Sequence, residues 1–274
     1  MSVDEVLLEE SEEDLPFLGH FLRVRRLRHA APEADRRPTL VFLHDSLGSI
    51  RLWRDFPARL AQALSCHALV YDRRGYGESA AFGPAPRTVR YLEEEALTVP
   101  AVLQAAGVGQ YVLIGHSDGG TLALLAAAQE PARVAAVVTI GAHVFVEDVT
   151  LAGIREAKRQ FATTDLPERL ARYHGPRTEA LFRAWTDTWL HPAFRAWNIE
   201  HYLPRVQCPV LAVQGEEDEY GTPAQVTAIV SQVSGPAQAA LLPGLGHTPH
   251  RQHPTEVQQL TTDFLREMIW ASGG

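Results

Sequence analysis

The chain contains only two cysteines in 274 residues, Cys66 and Cys208, and they stand far apart. Such a pair builds neither a disulfide framework nor a thiolate metal site, and it fits two small buried side chains in a reducing compartment. Positive charge is also short: 25 Lys and Arg stand against 33 Asp and Glu, a formal net charge of -8. The basic footprint needed to neutralise phosphates is missing, so nucleic acid is not an expected partner. No apolar run is long enough to span a bilayer, so no membrane partner is expected either. The opening MSVDEVLLEESEEDL has no basic start and no sustained apolar stretch, does not read as a secretory signal, and leads to an expected cytoplasmic location. The 12 histidines are scattered without HExxH or paired ligand spacing, so no metal site is expected.

What remains is an ordinary globular composition, 46% hydrophobic and 21% charged, on a chain long enough for one substantial core carrying an insertion. Short apolar runs rich in β-branched residues recur: TLVFLH at 39–44, HALVYD at 67–72, YVLIGH at 111–116, VAAVVTIG at 134–141, PVLAVQG at 209–215 and QAALLPG at 238–244. Each ends in a turn signal, and most precede a helix-like stretch, among them 53–64, 91–106, 118–129, 223–233 and 254–270. Nearly continuous apolar strands alternating with helices predict an α/β fold, a mostly parallel doubly wound sheet buried on both faces. Upstream, VLLEE and FLRVRRL can supply an antiparallel hairpin at the sheet edge. The rhythm stops between His143 and Pro204, where the sequence turns helical, aromatic and charged and sets Trp185 and Trp189 at helical spacing. The expected organisation is therefore a core of residues 1–142 and 205–274, interrupted by a helical cap over 143–204. Aromatic stripes of this kind usually serve packing, yet a cap above the sheet also roofs an apolar pocket.

The chemistry concentrates in YVLIGHSDGGTLALL, where Gly115, His116, Ser117, Asp118 and Gly119 fill G-x-S-x-G between a predicted strand and a predicted helix. A serine on so sharp a turn needs flanking glycines, because a Cβ would obstruct the backbone on either side. The helix that follows offers unpaired N–H groups and its positive dipole end to a developing anion, with the Asp118 N–H as one donor. Serine is also common as an ordinary N-cap; strand, helix and glycines together favour a nucleophile. Its base should follow the last strand, where Gly244 and Gly246 free His247 to swing over the sheet edge. His250 and His253, beside Pro249 and Pro254, are expected to face solvent. The carboxylate orienting the imidazole should follow the preceding strand. Among Glu216, Glu217, Asp218 and Glu219, Asp218 clears the strand by the right margin and the others read as a solvated loop; Asp148, one strand earlier, is the alternative. The second oxyanion donor should come from HDSLGS, with the Ser46 N–H as the candidate.

HDSLGS, YDRRGYGES, GHSDGG, GEED and GLGH occur in the order and spacing of the α/β-hydrolase superfamily, which the sequence resembles over essentially its whole length. Asp72, Arg73, Gly75, Gly77 and Ser79 match an element that the family uses as a structural loop beside the active site. Asp45 departs from the commoner His-Gly form of the oxyanion loop. SDGG and LPRVQCPVLAVQGEED further resemble the biphenyl-hydrolase-like, valacyclovir-hydrolase-type serine hydrolases. That resemblance implies ester hydrolysis without a cofactor and an Asp after the nucleophile that recognises a substrate α-amino group, here Asp118. Physics leaves two readings open. A carboxylate at a helix N-terminus gains about 0.3–1 kcal/mol, but one about 5 Å from an oxyanion repels it by roughly 3 kcal/mol at an effective dielectric near 20 unless a cation compensates. The expected reaction is hydrolysis of a small-molecule carboxylic ester through an acyl-enzyme. Carbon–carbon bond hydrolysis, amide or iminopeptide hydrolysis and perhydrolysis are the alternatives on the same triad, and a non-catalytic binding protein on the same fold is the alternative outside enzymes. The sequence specifies neither a natural substrate nor an oligomeric state.

Overall fold

In the computed structural model, residues 8–83 and 87–270 are described. The six apolar runs become six parallel strands: β3 (Thr39–Leu43), β4 (Ala68–Tyr71), β5 (Tyr111–His116), β6 (Val134–Ile140), β7 (Val210–Gly215) and β8 (Ala237–Leu242). A hairpin of β1 (Leu8–Phe17) and β2 (His20–His29) adds two antiparallel strands, giving the order β1-β2-β4-β3-β5-β6-β7-β8. Residues of alternate parity bury opposite faces. Val41, Leu43 and Leu113 join one apolar cluster and Leu40, Phe42 and Val112 the other, as a doubly wound sheet requires.

The hairpin is longer than VLLEE suggests, and Val6 and Leu7 of that segment lie outside the described residues. Glutamates disguise β1 as a solvated stretch. Its partners are arginines of β2: Arg23 pairs with Glu12 and Asp14 at 3.2 Å, and Arg26 with Glu13 at 2.7 Å. Leu18 and Gly19, both with positive φ, form the two-residue turn. The charges also discourage another strand from adding at this edge.

Helices fill both faces. α1 (Phe56–Leu64) starts later than residue 53 because Arg54 interrupts the chain with φ +53°. The stretch expected as one helix over 91–106 is two, α2 (Tyr91–Ala96) and α3 (Val99–Ala105), with Pro100 in the first turn of the second. α4 (Asp118–Gln129) is buried on almost every side. Between β6 and β7 the chain makes a helical excursion of α5 (Asp148–Thr163), α6 (Leu166–His174) and α7 (Thr178–Trp189). α8 (Pro223–Gln232), α9 (Pro249–Gln252) and α10 (Pro254–Leu265) complete the α-helices among the described residues. Among the described residues no helix is long and apolar enough to cross a membrane. The loops after β3, β5, β7 and β8 all emerge at the carboxyl edge of the sheet, where open α/β sheets form their clefts.

Candidate active site

Ser117 sits between β5 and α4 with φ +53° and ψ -121°, a backbone state that costs a non-glycine residue about 1–3 kcal/mol. Surrounding bonds hold it there: its N–H donates to Ile140 O at 2.8 Å, and its carbonyl accepts from Gly120 N at 2.8 Å and Thr121 N at 3.1 Å. The glycines are required by contact. A Cβ on Gly115 would lie 2.1 Å from Gly119 O, and one on Gly119 only 1.9 Å from Leu43 O.

His247 and Asp218 meet across the loops after β8 and β7. His247 Nδ1 is 2.9 Å from both carboxylate oxygens of Asp218, whose Oδ1 also accepts the Tyr220 N–H at 2.8 Å. Burial opposes charge on His247, but Asp218, with Glu219 and Asp45 beyond, outweighs it and holds the imidazole above its ordinary value of 6.5. Burial likewise opposes ionisation of Asp218, and the His247 charge and hydrogen bond keep its carboxyl below the usual range. Asp148 is elsewhere, exposed at the start of α5 and paired with Arg195 at 2.7 Å. His253 is exposed beside Glu256. His250 does not face solvent: it is 2% exposed and packs against Trp53, Phe56 and His116 with both ring nitrogens unpartnered. His250 lies in α9, which starts at Pro249, and its contacts with Trp53 and Phe56 place it against the start of α1 rather than in solvent.

Ser117 and His247 line one cavity of about 260 Å³, together with Ser46, Asp118, Leu170, Trp185 and Trp189. Its size suits a small molecule. Ser46 occupies the tight turn Asp45–Gly48, closed by Gly48 N to Asp45 O at 3.1 Å. Neither the Ser46 N–H nor the Asp118 N–H donates to another group among the described residues. The arrangement therefore offers a nucleophile, an oriented imidazole and two free amide donors around one space, the components of acyl transfer.

Residues 38–202 match the family of the alpha/beta hydrolase fold. The chain belongs to the α/β-hydrolase family. It is 30% identical over 210 residues to the human serine hydrolase BPHL, covering 72% of this chain and 69% of that protein. It is also 27% identical over 257 residues to a 2-succinyl-6-hydroxy-2,4-cyclohexadiene-1-carboxylate synthase of Enterobacter sp. strain 638, covering 85% of this chain and 93% of the relative. In structure it is similar to the 2-hydroxy-6-oxo-6-phenylhexa-2,4-dienoate hydrolase of Rhodococcus sp. strain RHA1, with TM-score 0.78 and 15% identity over 95% of this chain and 100% of that one. It is a serine hydrolase of this family.

Several residues of this α/β-hydrolase site have no local signature. Asp118 is among the residues lining the cavity but is only 1% exposed, and its carboxylate Oδ2 accepts the Tyr91 hydroxyl at 2.7 Å; that hydroxyl in turn accepts Trp189 Nε1 at 2.8 Å. Burial and the Asp118 charge push the Tyr91 hydroxyl well above its ordinary value, so it stays a donor. Asp45 is a hub: Oδ1 accepts the Leu47 N–H at 2.8 Å, and Oδ2 lies 3.0 Å from His116 Nδ1 and 3.1 Å from Arg251 Nη2. Although burial opposes it, His116 and Arg251 hold the Asp45 carboxyl well below the usual range. His116 Nε2 reaches the His247 carbonyl at 2.9 Å, and Glu219 Oε2 accepts the His247 N–H at 3.1 Å. Glu219, which the sequence suggests is solvated, thus touches the backbone of the base. The one local signal for Asp45 is its position: an Asp opening a turn accepts the N–H two residues on.

Proposed function

We propose that this serine hydrolase cleaves small-molecule carboxylic esters through an acyl-enzyme on Ser117, His247 and Asp218. The observation that carries this reading is the 2.9 Å contact of His247 Nδ1 with the buried Asp218, made by a histidine that lines the same cavity as Ser117. With Nδ1 donating to the carboxylate, Nε2 is left to accept the Ser117 proton as the hydroxyl attacks the ester carbonyl. The carbonyl oxygen becomes an oxyanion within reach of the Ser46 and Asp118 N–H groups. His247 then returns its proton to the departing alcohol, and a water deprotonated by the same nitrogen releases the acid. The helical excursion serves as a cap, with Leu170, Trp185 and Trp189 roofing the acyl side.

A preference for amino-bearing acyl groups is supported by Asp118 lining that cavity while Tyr91 and Trp189 fix its orientation. A substrate ammonium would offset the repulsion between this carboxylate and the oxyanion. The experiment is a hydrolysis screen over p-nitrophenyl esters, amino acid esters and dienone acids. Turnover of esters supports the proposal. Turnover of dienone acids alone replaces it with carbon–carbon bond hydrolysis, and no covalent labelling by a fluorophosphonate removes the serine mechanism altogether.

A further inference from the structure

His174 ends α6 in the helical excursion, is 2% exposed, and takes no part in the triad. Its two ring nitrogens have different partners, both on core loops. Nδ1 accepts the Gly77 N–H at 3.0 Å, and Nε2 donates to the Leu47 carbonyl at 2.9 Å. Accepting at one nitrogen and donating at the other fixes a single neutral tautomer. Leu47 follows Ser46 in the tight turn, and its N–H is already held by Asp45. The turn that presents the Ser46 N–H is thus gripped on one side by Asp45 and on the other by a histidine from the excursion. Next to it, Arg177 donates to the Gly77 and Ser79 carbonyls, so the same end of α6 is anchored to the loop around Gly77 independently of His174. One turn earlier on α6, Leu170 forms part of the cavity wall.

We infer that His174 is a positioning residue for the oxyanion hole, delivered by the cap: its Nε2–H bond to the Leu47 carbonyl sets the orientation of the Ser46 N–H. The inference rests on the proposal that Ser46 is an oxyanion donor. The Gly77 bond aims the ring and the Leu47 bond does the positioning. The Leu47 carbonyl belongs to the Leu47–Gly48 peptide, whose Gly48 N–H donates to Asp45 O at 3.1 Å. Asp45 O, which also accepts Arg73 Nη2 at 2.9 Å, is the carbonyl of the peptide that carries the Ser46 N–H. Without His174 the Leu47–Gly48 peptide is held only through its N–H and can rotate, and displacement of a catalytic donor by about 1 Å costs up to about a hundredfold in rate.

Two variants separate the bonds. In His174→Gln the amide nitrogen stands near the place of Nε2 and can still donate to Leu47. In His174→Asn the amide oxygen stands near the place of Nδ1 and can accept from Gly77, but nothing reaches Leu47. The readout is the Kd of phenylboronic acid, which bonds to a serine as a tetrahedral adduct bearing an oxyanion-like oxygen and is followed by quenching of tryptophan fluorescence. It requires no knowledge of the natural substrate. Expected is a Kd within about threefold of wild type for His174→Gln and raised about tenfold or more for His174→Asn. On any ester that the wild type turns over, kcat should fall in parallel for His174→Asn while KM stays within about twofold. Thermal unfolding of both variants checks that any loss of stability is shared. Equal Kd values for the two variants, or a wild-type Kd in His174→Asn, overturn the inference. Failure of the wild type to bind the boronate overturns the serine mechanism itself, and this inference with it.

Discussion

At the scale of single residues, the site makes three demands that substitution can test. Ser117→Ala removes one hydroxyl from an otherwise intact turn, so kcat should drop by at least about a thousandfold with no change in unfolding midpoint; retention of a tenth of the activity would exclude the covalent route. Asp218→Asn should cost about as much, whereas Asp148→Asn, out at the exposed start of α5, should leave rates unchanged. Because Asp218 holds His247 above 6.5, the acid limb of kcat/KM should fall above that pH in the wild type and move downward in whatever activity Asp218→Asn retains. Asp118→Asn keeps the backbone donor, so selectivity should move instead. Rates on an amino acid ester should decline by about one to two orders of magnitude and rates on a neutral ester of similar size should hold or rise. Equal losses on both would assign Asp118 to its Tyr91 bond alone. The placement of Ser117, Asp218 and His247 together at one edge of the sheet is legible in the sequence because each follows a strand whose end is marked by a turn. Tyr91 and Glu219 are not: their bonds to Asp118 and His247 span 27 and 28 residues, and only the folded sheet brings them together.

At the scale of elements, the elbow between β5 and α4 is the least forgiving junction. Gly119→Ala would drive a methyl group into Leu43 O, and overpacking of this kind costs about 1–3 kcal/mol. A lowered urea midpoint accompanied by loss of activity is expected; an unchanged midpoint would mean that β3 yields more readily than the contact implies. The parallel strands could be read from sequence to within a residue or two: inside the sheet, burial on both faces leaves an uninterrupted apolar run, and β8, half-exposed at the edge, is marked by its small apolar residues and the turn after it. β1 and the split between α2 and α3 could not. An edge strand need not be apolar when its partner supplies arginines, and Pro100 is tolerated in the first turn of a helix as easily as it interrupts a longer one.

At the scale of the whole molecule, histidine burial dominates the response to pH. His44, His116, His143, His174 and His250 are all pushed below 6.5, in each case chiefly by burial. Below that value the unfolded chain binds protons that the native chain refuses, so native stability falls as pH drops from 7 toward 5, by up to about 1.4 kcal/mol per pH unit for each such group. His247, raised instead, works the other way, its contribution being complete below 6.5 and lost as pH climbs through its folded value. The urea midpoint should therefore be lower at pH 5.5 than at pH 8. His250→Phe, which fills the same space without a proton to gain, should flatten that slope, and an unchanged slope would assign it to other groups. Ser117 lies before the midpoint, while Asp218 and His247 lie in the last quarter, after β7 and after β8. A growing polypeptide emerging from the ribosome thus displays its serine long before it has a base to activate it. Reactivity of Ser117 toward a fluorophosphonate should therefore appear only once β8 has docked and brought His247 to the site, which makes that labelling a readout of sheet assembly.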